Sequence, residues 1–459
     1  MNREIREPER VTPVIAETDV LVLGSGPGGL SAAVAAARAG VDTMLVERYG
    51  CFGGNLTHVG VEGIAWYRQG DTVDVEGIGI EFEQRARKQG AAEREVQSNS
   101  EAIHAELFKV VADDWIAEAG VRPLLHSTAA DVIRDGDTLR GVIIQNKSGR
   151  QAILAKRMID ATGDADLVHL AGGECVKTEK EKMLGVTVMF SCTGVDKARF
   201  LEYVKANPVK YKDWGRNWDM ETSGKEDELF SPYLEEPFEK ARAAGVIPPG
   251  LKGIGGTWST ISDHGEATYL NMVHMNEYDG TDVWDLTRAE IEGRRQAMQA
   301  IRALNRFAPG FGDARLRNFG MTVGIRDTRK IRGRYDLTED DVRNQARFDD
   351  SIGIFPEFID GYGVLILPTT GRYFHVPFGA LIPKAAAGGP GLENLLVAGR
   401  SIAGDAISHA AVRNMMCCTV SGQGAGVASA VSLKTGTSAA GVNIAGVQAE
   451  LRRQGVRLH

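Results

Sequence analysis

An α/β fold built on a parallel sheet follows from three features of the sequence. A short β-branched run, Asp19 to Leu23, leads straight into Gly24-Ser25-Gly26-Pro27-Gly28-Gly29. An alanine-rich stretch, Leu30 to Ala39, follows as a helix, with Gly40 placed to close it. A second apolar run, Thr43 to Val46, then ends on the acid Glu47. Continuous apolar runs of this length suit strands buried on both faces, and strand, glycine loop and helix in succession make a βαβ unit.

Each residue of this unit has a physical task. Gly24 permits the tight turn, Gly26 and Gly28 sit where backbone must approach a pyrophosphate, and Gly29 lets helix and strand pack closely. The helix N-terminus offers free N–H groups to phosphate, and Glu47, 18 residues after Gly29, is placed to accept from a ribose diol. A second glycine cluster, Gly50-Cys51-Phe52-Gly53-Gly54-Asn55, follows at once. An NAD site has no use for it, whereas the longer FAD needs further backbone close by, so the expected cofactor is FAD. His58 reads as a polar neighbour of the flavin ring, with a covalent anchor as the alternative.

Composition narrows the class. The 459 residues are 43% hydrophobic and 25% charged, which suits an ordinary globular chain. With 53 basic and 61 acidic side chains the formal charge is −8, which disfavours nucleic acid or an anionic membrane as partner. Five cysteines without C-x-x-C spacing suggest neither a disulfide framework nor a metal site, and the adjacent Cys417 and Cys418 read as small buried hydrophobes. No apolar stretch has the length of a signal peptide or a membrane span, so a cytoplasmic protein is expected.

Further along, Ile103, Leu107, Val110, Val111 and Trp115 recur at helical spacing, with Gly120 as a stop. Turn signals at Asp135-Gly136-Asp137 and Ser148-Gly149 divide a small meander from about Arg122 to Leu154. Met158 to Ala161 then return to the parent sheet, which puts Thr162, Gly163 and Asp164 at its carboxyl edge, where open α/β sheets bind ligands.

With these residues in view, the chain resembles the FAD-dependent oxidoreductases, two-domain flavoproteins related to glutathione reductase and the fumarate reductase flavoprotein. The resemblance rests on Gly24 to Gly29 with Glu47-Arg48, on Gly50 to Asn55 and on Ile159 to Gly173. It continues through Leu286 to Gln296, Gly324 to Val342, Leu395 to Ile402 and Ala411 to Ala430. It implies a non-covalent FAD held by Gly24, Gly26, Gly29, Glu47, Gly54, Asn55, Thr162, Gly163, Gly399 and Gly424, between a nucleotide domain and a substrate domain. Two departures are visible: Pro377-Phe378-Gly379 stands where the family has Pro-Tyr-Arg, and Met416 replaces a proline, so the substrate pocket is expected to differ in shape.

The expected architecture is a Rossmann-like FAD-binding domain, parallel sheet plus β-meander, in segments 1–192 and 381–459, with an inserted α+β substrate domain at 193–380. Trp214, Trp218, Trp258 and Trp284, with Tyr203, Tyr211, Tyr233, Tyr269 and Tyr278, mark the inserted part as a pocket wall or a packed cap. His264 and His274 lack metal-site spacing. Thr287 and Glu290 form a capping box for a helix Arg288 to Phe307 whose Ile291, Met298, Ile301 and Leu304 face the core. The basic run Arg326, Arg329, Lys330, Arg332, Arg334 pairs with Asp336, Glu339, Asp340 and Asp341, or else sends Arg326 to an anionic substrate or the flavin.

His375, which the resemblance places near the flavin face, is the first candidate for general acid or base, a core histidine being the alternative. His409 and Arg413 share a helical face, so His375 or His409 handles the proton while Arg413 or Arg326 orients the substrate. Gly399-Arg400 end the strand Leu395 to Ala398, and the helix through Gln423 and Gly424 resembles the one that turns its positive end to the flavin. No second strand-GxGxxG-helix unit occurs: Gly388-Gly389-Pro390-Gly391 neither follows a strand nor opens a helix. The reaction expected is therefore hydride transfer between a small organic substrate and flavin, with oxygen, a quinone or a carrier protein as electron acceptor and a homo-oligomer as the assembly. The alternatives are a flavin monooxygenase, prompted by Gly404-Asp405, and a non-catalytic FAD-binding subunit.

Overall fold

The computed structural model describes residues 4–69, 72–98, 100–136, 138–207, 217–389 and 391–459. Tyr211, Trp214, Asp137 and Pro390 lie outside the described residues.

Strand β1 (Val14–Leu23) is central, and β2 (Thr43–Val46) pairs with it in parallel, followed outward by the strand Arg122–Leu124. On its other side β1 pairs in parallel with a 12-residue strand, Gly149–Asp160. The sequence divides this last region into a meander and a returning strand, but one continuous strand does both jobs. Its first half pairs antiparallel with Thr138–Asn146, and its last residues, Met158 to Asp160, pair in parallel with Leu395–Val397. Arg122 accordingly belongs to the parallel edge and not to the meander. The carboxyl ends of β1, β2, Gly149–Asp160 and Leu395–Val397 thus converge on one edge.

Helix α1 (Pro27–Arg38) begins with proline at its first position, where no N–H is missed, and buries an alanine-rich body. It crosses the helix Met415–Thr435, which is buried nearly all round. Their backbones meet at glycine: a Cβ on Gly422 would lie 2.0 Å from Gly28 O, and one on Gly426 2.3 Å from Ala32 O. The helix Ala105–Ala119 ends at Gly120 as expected and buries Val111 and Trp115, but Leu107 and Val110 are exposed.

A second sheet runs Tyr233–Leu234, Ile254–Thr257, Ala267–Met275, Phe190–Thr193, Arg315–Phe319, and the helix Val283–Phe307 packs on it. That helix starts earlier than the sequence suggests. Asp282 caps it by accepting from Trp284 N and Asp285 N, while Thr287 Oγ1 donates to Val283 O inside the helix. Its core face is Ala289, Gly293, Ala297, Ile301 and Leu304; Ile291, Met298 and Trp284 are exposed.

Two hydrophobic cores result. One joins the parallel sheet, α1 and Met415–Thr435; the other lies between Val186 and Val323. Residues from Ile331 to Ala380, expected with the inserted part, bury their side chains in the first core instead. Among the described residues no helix is long and apolar enough to cross a membrane.

Candidate active site

A cavity of about 750 Å³ opens at the convergent strand ends and reaches into the second sheet. At one end stand Gly24 to Gly28, Glu47, Arg48, Gly54, Asn55, Thr162, Gly163, Gly399 and Arg400. Glu47 is buried, and its Oε2 accepts from Ser25 N at 2.8 Å and Ser25 Oγ at 2.6 Å, while Oε1 accepts from Tyr49 N at 2.9 Å. The carboxylate is fixed by the chain before any ribose approaches. Gly26 has no side chain to cap α1, so the first N–H groups of the helix are left for a ligand. The second glycine loop is tied to the first by Gly53 N donating to Ser25 O at 3.0 Å.

Several predicted cofactor residues act from behind this wall. Gly29 packs on Gly24 O, where a Cβ would come to 1.7 Å. Gly53 is in the loop but not on the cavity. Asp164 is buried beneath Arg400, accepting from Arg400 Nη2 at 2.9 Å and Thr328 Oγ1 at 2.6 Å. Burial works against its ionised form, yet the Arg400 charge and the Thr328 bond hold its carboxyl below the usual range. Gln423 and Gly424 do not meet the cavity. Gln423 Oε1 accepts from Ile78 N at 2.9 Å, and Gly424 makes room for Ile352. What this helix offers the cavity is its first turn, Met415, Met416 and Cys418 with Asn414 before them, and Asn414 provides no side-chain cap.

The far end is aromatic and cationic. Trp66, Trp218, Tyr233, Trp258 and Tyr269 line it together with Arg326, Asn271, His274, Asp360, Tyr362 and Arg413. Arg326 donates to Gly185 O at 2.8 Å and to Asn271 Oδ1 at 3.3 Å, both neutral acceptors. Burial, then the neighbouring Arg413 charge, brings its pKa down to about 10. Arg413 Nη2 donates to Asp360 O and lies 3.3 Å from Asp360 Oδ2. His274 is held neutral, its pKa pushed down to about 3 by burial and by Arg326. Trp66, Tyr269 and Tyr362 have φ of +62°, +54° and +54°, so three bulky aromatic residues on this wall sit in a backbone region that such side chains avoid.

Neither histidine chosen from the sequence reaches the cavity. His375 is buried on the strand Tyr373–Pro377, which pairs with Ser351–Pro356, and its Nδ1 accepts from Phe348 N at 3.1 Å. His409 is buried behind Arg326, with Nε2 donating to Arg326 O at 3.0 Å. His58 does line the cavity, but its Nε2 is engaged by Cys51 O at 2.8 Å. Of the basic run, Arg332 pairs with Asp336 as expected; Arg329 pairs with Asp166, Lys330 with Asp327, and Arg334 donates to Ala440 O. Asp405, prompted as part of a hydroxylase fingerprint, caps the helix Ala406–Val412 by accepting from Ser408 N at 2.8 Å. The five cysteines are free thiols, and among the described residues no group of three or more His, Cys, Asp or Glu is placed to hold a metal ion.

Tyr362, Asp327 and Asn271 carry no signal of their own in the sequence. The one available hint was Gly361-Tyr362-Gly363, a bulky residue inside a glycine turn.

A family model described as FAD dependent oxidoreductase matches residues 19–451. The chain belongs to this family. The FAD-dependent oxidoreductase is also 32% identical over 187 residues to a thiamine thiazole synthase of Methanococcus maripaludis, covering 38% of this chain and 64% of that protein. A thiamine thiazole synthase of Saccharolobus islandicus is 31% identical over 166 residues, 34% of this chain and 58% of its own. The chain thus spans under two thirds of the length of these curated relatives. Among solved structures, a geranylgeranyl bacteriochlorophyll reductase-like protein of Thermoplasma acidophilum aligns with 95% of this chain and 83% of its own, at 13% identity and a TM-score of 0.48. A myxobacterial chondrochloren halogenase aligns with 96% and 79%, at 13% identity and the same TM-score of 0.48. The glycine-lined passage, the uncapped start of α1 and the prearranged Glu47 fit the FAD of this family of enzymes.

Proposed function

We propose that this FAD-dependent oxidoreductase transfers a hydride between its flavin and a small organic carboxylate. Arg326 carries the reading: it faces the cavity with both of its hydrogen bonds given to neutral acceptors, and the one nearby carboxylate, Asp360, is shared with Arg413, so the pair keeps positive charge for an anionic ligand. Arg413 stands on the same wall with one partial counter-charge, Asp360. The Trp and Tyr side chains around them suit an apolar or aromatic body on the substrate.

Gly26, the N-terminus of α1, Glu47, Gly54 and Asn55 would hold the dinucleotide, with Thr162, Gly163, Gly399 and Arg400 beside it. Bound FAD supplies a two-electron hydride acceptor. The chain supplies orientation through the two arginines and excludes water with aromatic walls. The second core, between Val186 and Val323, is the substrate layer in this reading, and oxygen, a quinone or a carrier protein takes the electrons onward.

The test is anaerobic mixing of the flavin-loaded protein with mandelate, lactate and phenylalanine, and with benzyl alcohol, which has no carboxylate. Bleaching of the flavin by one of the carboxylates and not by the alcohol is expected. Equal bleaching by benzyl alcohol, or bleaching by NAD(P)H alone, overturns the reading.

A further inference from the structure

Tyr362 is the first of two loop residues in the hairpin Ile359–Gly361/Val364–Ile366, with φ of +54°, and Gly363 follows at +79°. Two consecutive positive φ values select asparagine, aspartate or glycine, so a tyrosine here needs a reason beyond the turn. Its hydroxyl provides one, donating to Asp327 Oδ2 at 2.5 Å. Asp327 is 1% exposed, and its other oxygen accepts from Lys330 Nζ at 2.6 Å, itself only 3% exposed. Lys330 Nζ also donates to Thr178 Oγ1, half-buried, at 3.3 Å. On the cavity side Tyr362 neighbours Asp360, and the Arg413 charge reaches its phenol. His409 Nε2 lies 3.8 Å from Asp327 Oδ1, but its hydrogen bond is spent on Arg326 O.

A buried Asp–Lys pair is poor value as a stabiliser, since desolvation offsets most of the attraction. Here it belongs to a closed hydrogen-bonded group behind the cavity wall, in which Thr178 bonds both Lys330 Nζ and Tyr362. The donors converge on Asp327, which accepts from Tyr362 on one carboxylate oxygen and from Lys330 on the other.

We propose that Tyr362, Asp327 and Lys330 form a relay that takes the proton released when a substrate hydroxyl or amine is oxidised. The proposal rests on the hydride-transfer reading above. In the step, the substrate O–H bond breaks as its proton bonds to Tyr362 Oη, and the original phenol proton passes to Asp327 Oδ2. The O–H electron pair becomes the second bond of a carbonyl, and bound FAD would supply the two-electron acceptor for the hydride lost from the adjacent carbon. Asp327 holds that proton as a neutral carboxyl group between Tyr362 and Lys330 until the product leaves, and then returns it through Tyr362 to water entering the cavity. For an amine substrate the same accounting gives an imine. Tyr362 touches the substrate and is the catalytic residue; Asp327 and Lys330 act through it.

The experiment is anaerobic stopped-flow reduction of the flavin-loaded full chain by mandelate, lactate and phenylalanine, in water and in deuterium oxide across a pH series. With the reacting substrate, Tyr362→Phe is expected to slow flavin reduction by about 100-fold or more, the range of general acid–base catalysis, with substrate affinity within about threefold of wild type. The solvent isotope effect of the wild type is expected to vanish in that variant. The double variant Asp327→Asn, Lys330→Met removes both charges together, so that no buried ion is left alone, and is expected to lose the same isotope effect. A wild type that is reduced, with Tyr362→Phe slowed less than about threefold and its isotope effect intact, overturns the relay alone. If none of the three compounds reduces the wild type, the hydride reading fails and the relay falls with it.

Discussion

Gly54 stands so close to Gly26 that a Cβ on Gly54 would lie 2.4 Å from Gly26 Cα, with Gly54 itself at φ +56°. Both the contact and the backbone conformation exclude a side chain. Gly54→Ala is therefore expected to part the two glycine loops and to yield protein that purifies without flavin. Visible absorbance per chain reads the loss, with circular dichroism as the check on folding.

Glu47 receives three hydrogen bonds from Ser25 and Tyr49, which hold it in place for the ribose contact proposed for it. A hydrogen bond to a charged group contributes about 1.5–3 kcal/mol, which is roughly 10- to 100-fold in binding. Glu47→Gln is expected to weaken FAD affinity by that factor. Titration of apoprotein with FAD, followed by flavin fluorescence, measures it.

Arg326→Gln keeps a donor towards Asn271 and removes the charge. By the same arithmetic, binding of the carboxylate substrate is expected to weaken by roughly 10- to 100-fold, with flavin content unchanged. Arg413→Lys keeps the charge and should weaken it less. Flavin spectral changes on titration with mandelate under anaerobic conditions give both values.

His409 gives stability a dependence on pH. Burial, then the Lys330 charge, lowers its pKa, with Asp327 and the bond to Arg326 O acting the other way. The folded protein therefore keeps His409 neutral below about pH 6.5, where an unfolded chain takes up a proton. Across that window the unfolded state binds more protons, so stability is present above the unfolded value and is lost as pH falls, by about 1.4 kcal/mol per pH unit. His409→Gln is expected to flatten this slope. Urea unfolding at several pH values between about 5 and 7 tests it, and equal slopes in both proteins would refute the assignment.

The crossing of α1 with Met415–Thr435 leaves no room at Gly422, where a Cβ would come to 2.0 Å from Gly28 O. Gly422→Ala forces the helices apart, and overpacking of this kind costs about 1–3 kcal/mol. Gly446, in the helix Ile444–Arg453, meets nothing closer than Val431 at 3.5 Å, so Gly446→Ala is expected to be neutral or to stabilise by up to about 1 kcal/mol. Thermal melts of the two variants separate the packing effect from the general effect of replacing glycine.

The nucleotide end of the site was legible because its chemistry is local. Gly24 to Gly29, Glu47 and Gly54 are close in sequence, and Gly24, Gly28, Gly29 and Gly54 each answer a backbone contact that a Cβ forbids. The strand Gly149–Asp160 was cut in two because a continuous strand can change its pairing partner without any change in local pattern. The substrate end was read only as a cluster of aromatics. Arg326 and Arg413 come from separate segments and meet through tertiary packing, and Tyr362 reaches Asp327 across a hairpin that no periodicity announces. His375 stands out in the sequence by the resemblance and His409 by its helical spacing to Arg413, but burial keeps both imidazoles away from the cavity.

The three aromatic residues held at positive φ, Trp66, Tyr269 and Tyr362, set the wall of the cavity against the comfort of its backbone. Each left-handed position costs on the order of 1 kcal/mol or more, and glycine or asparagine would relieve it. Laboratory evolution for heat resistance, run without a demand for turnover, would then strip these rings first. The hardiest descendants of this chain would be yellow, well folded and idle.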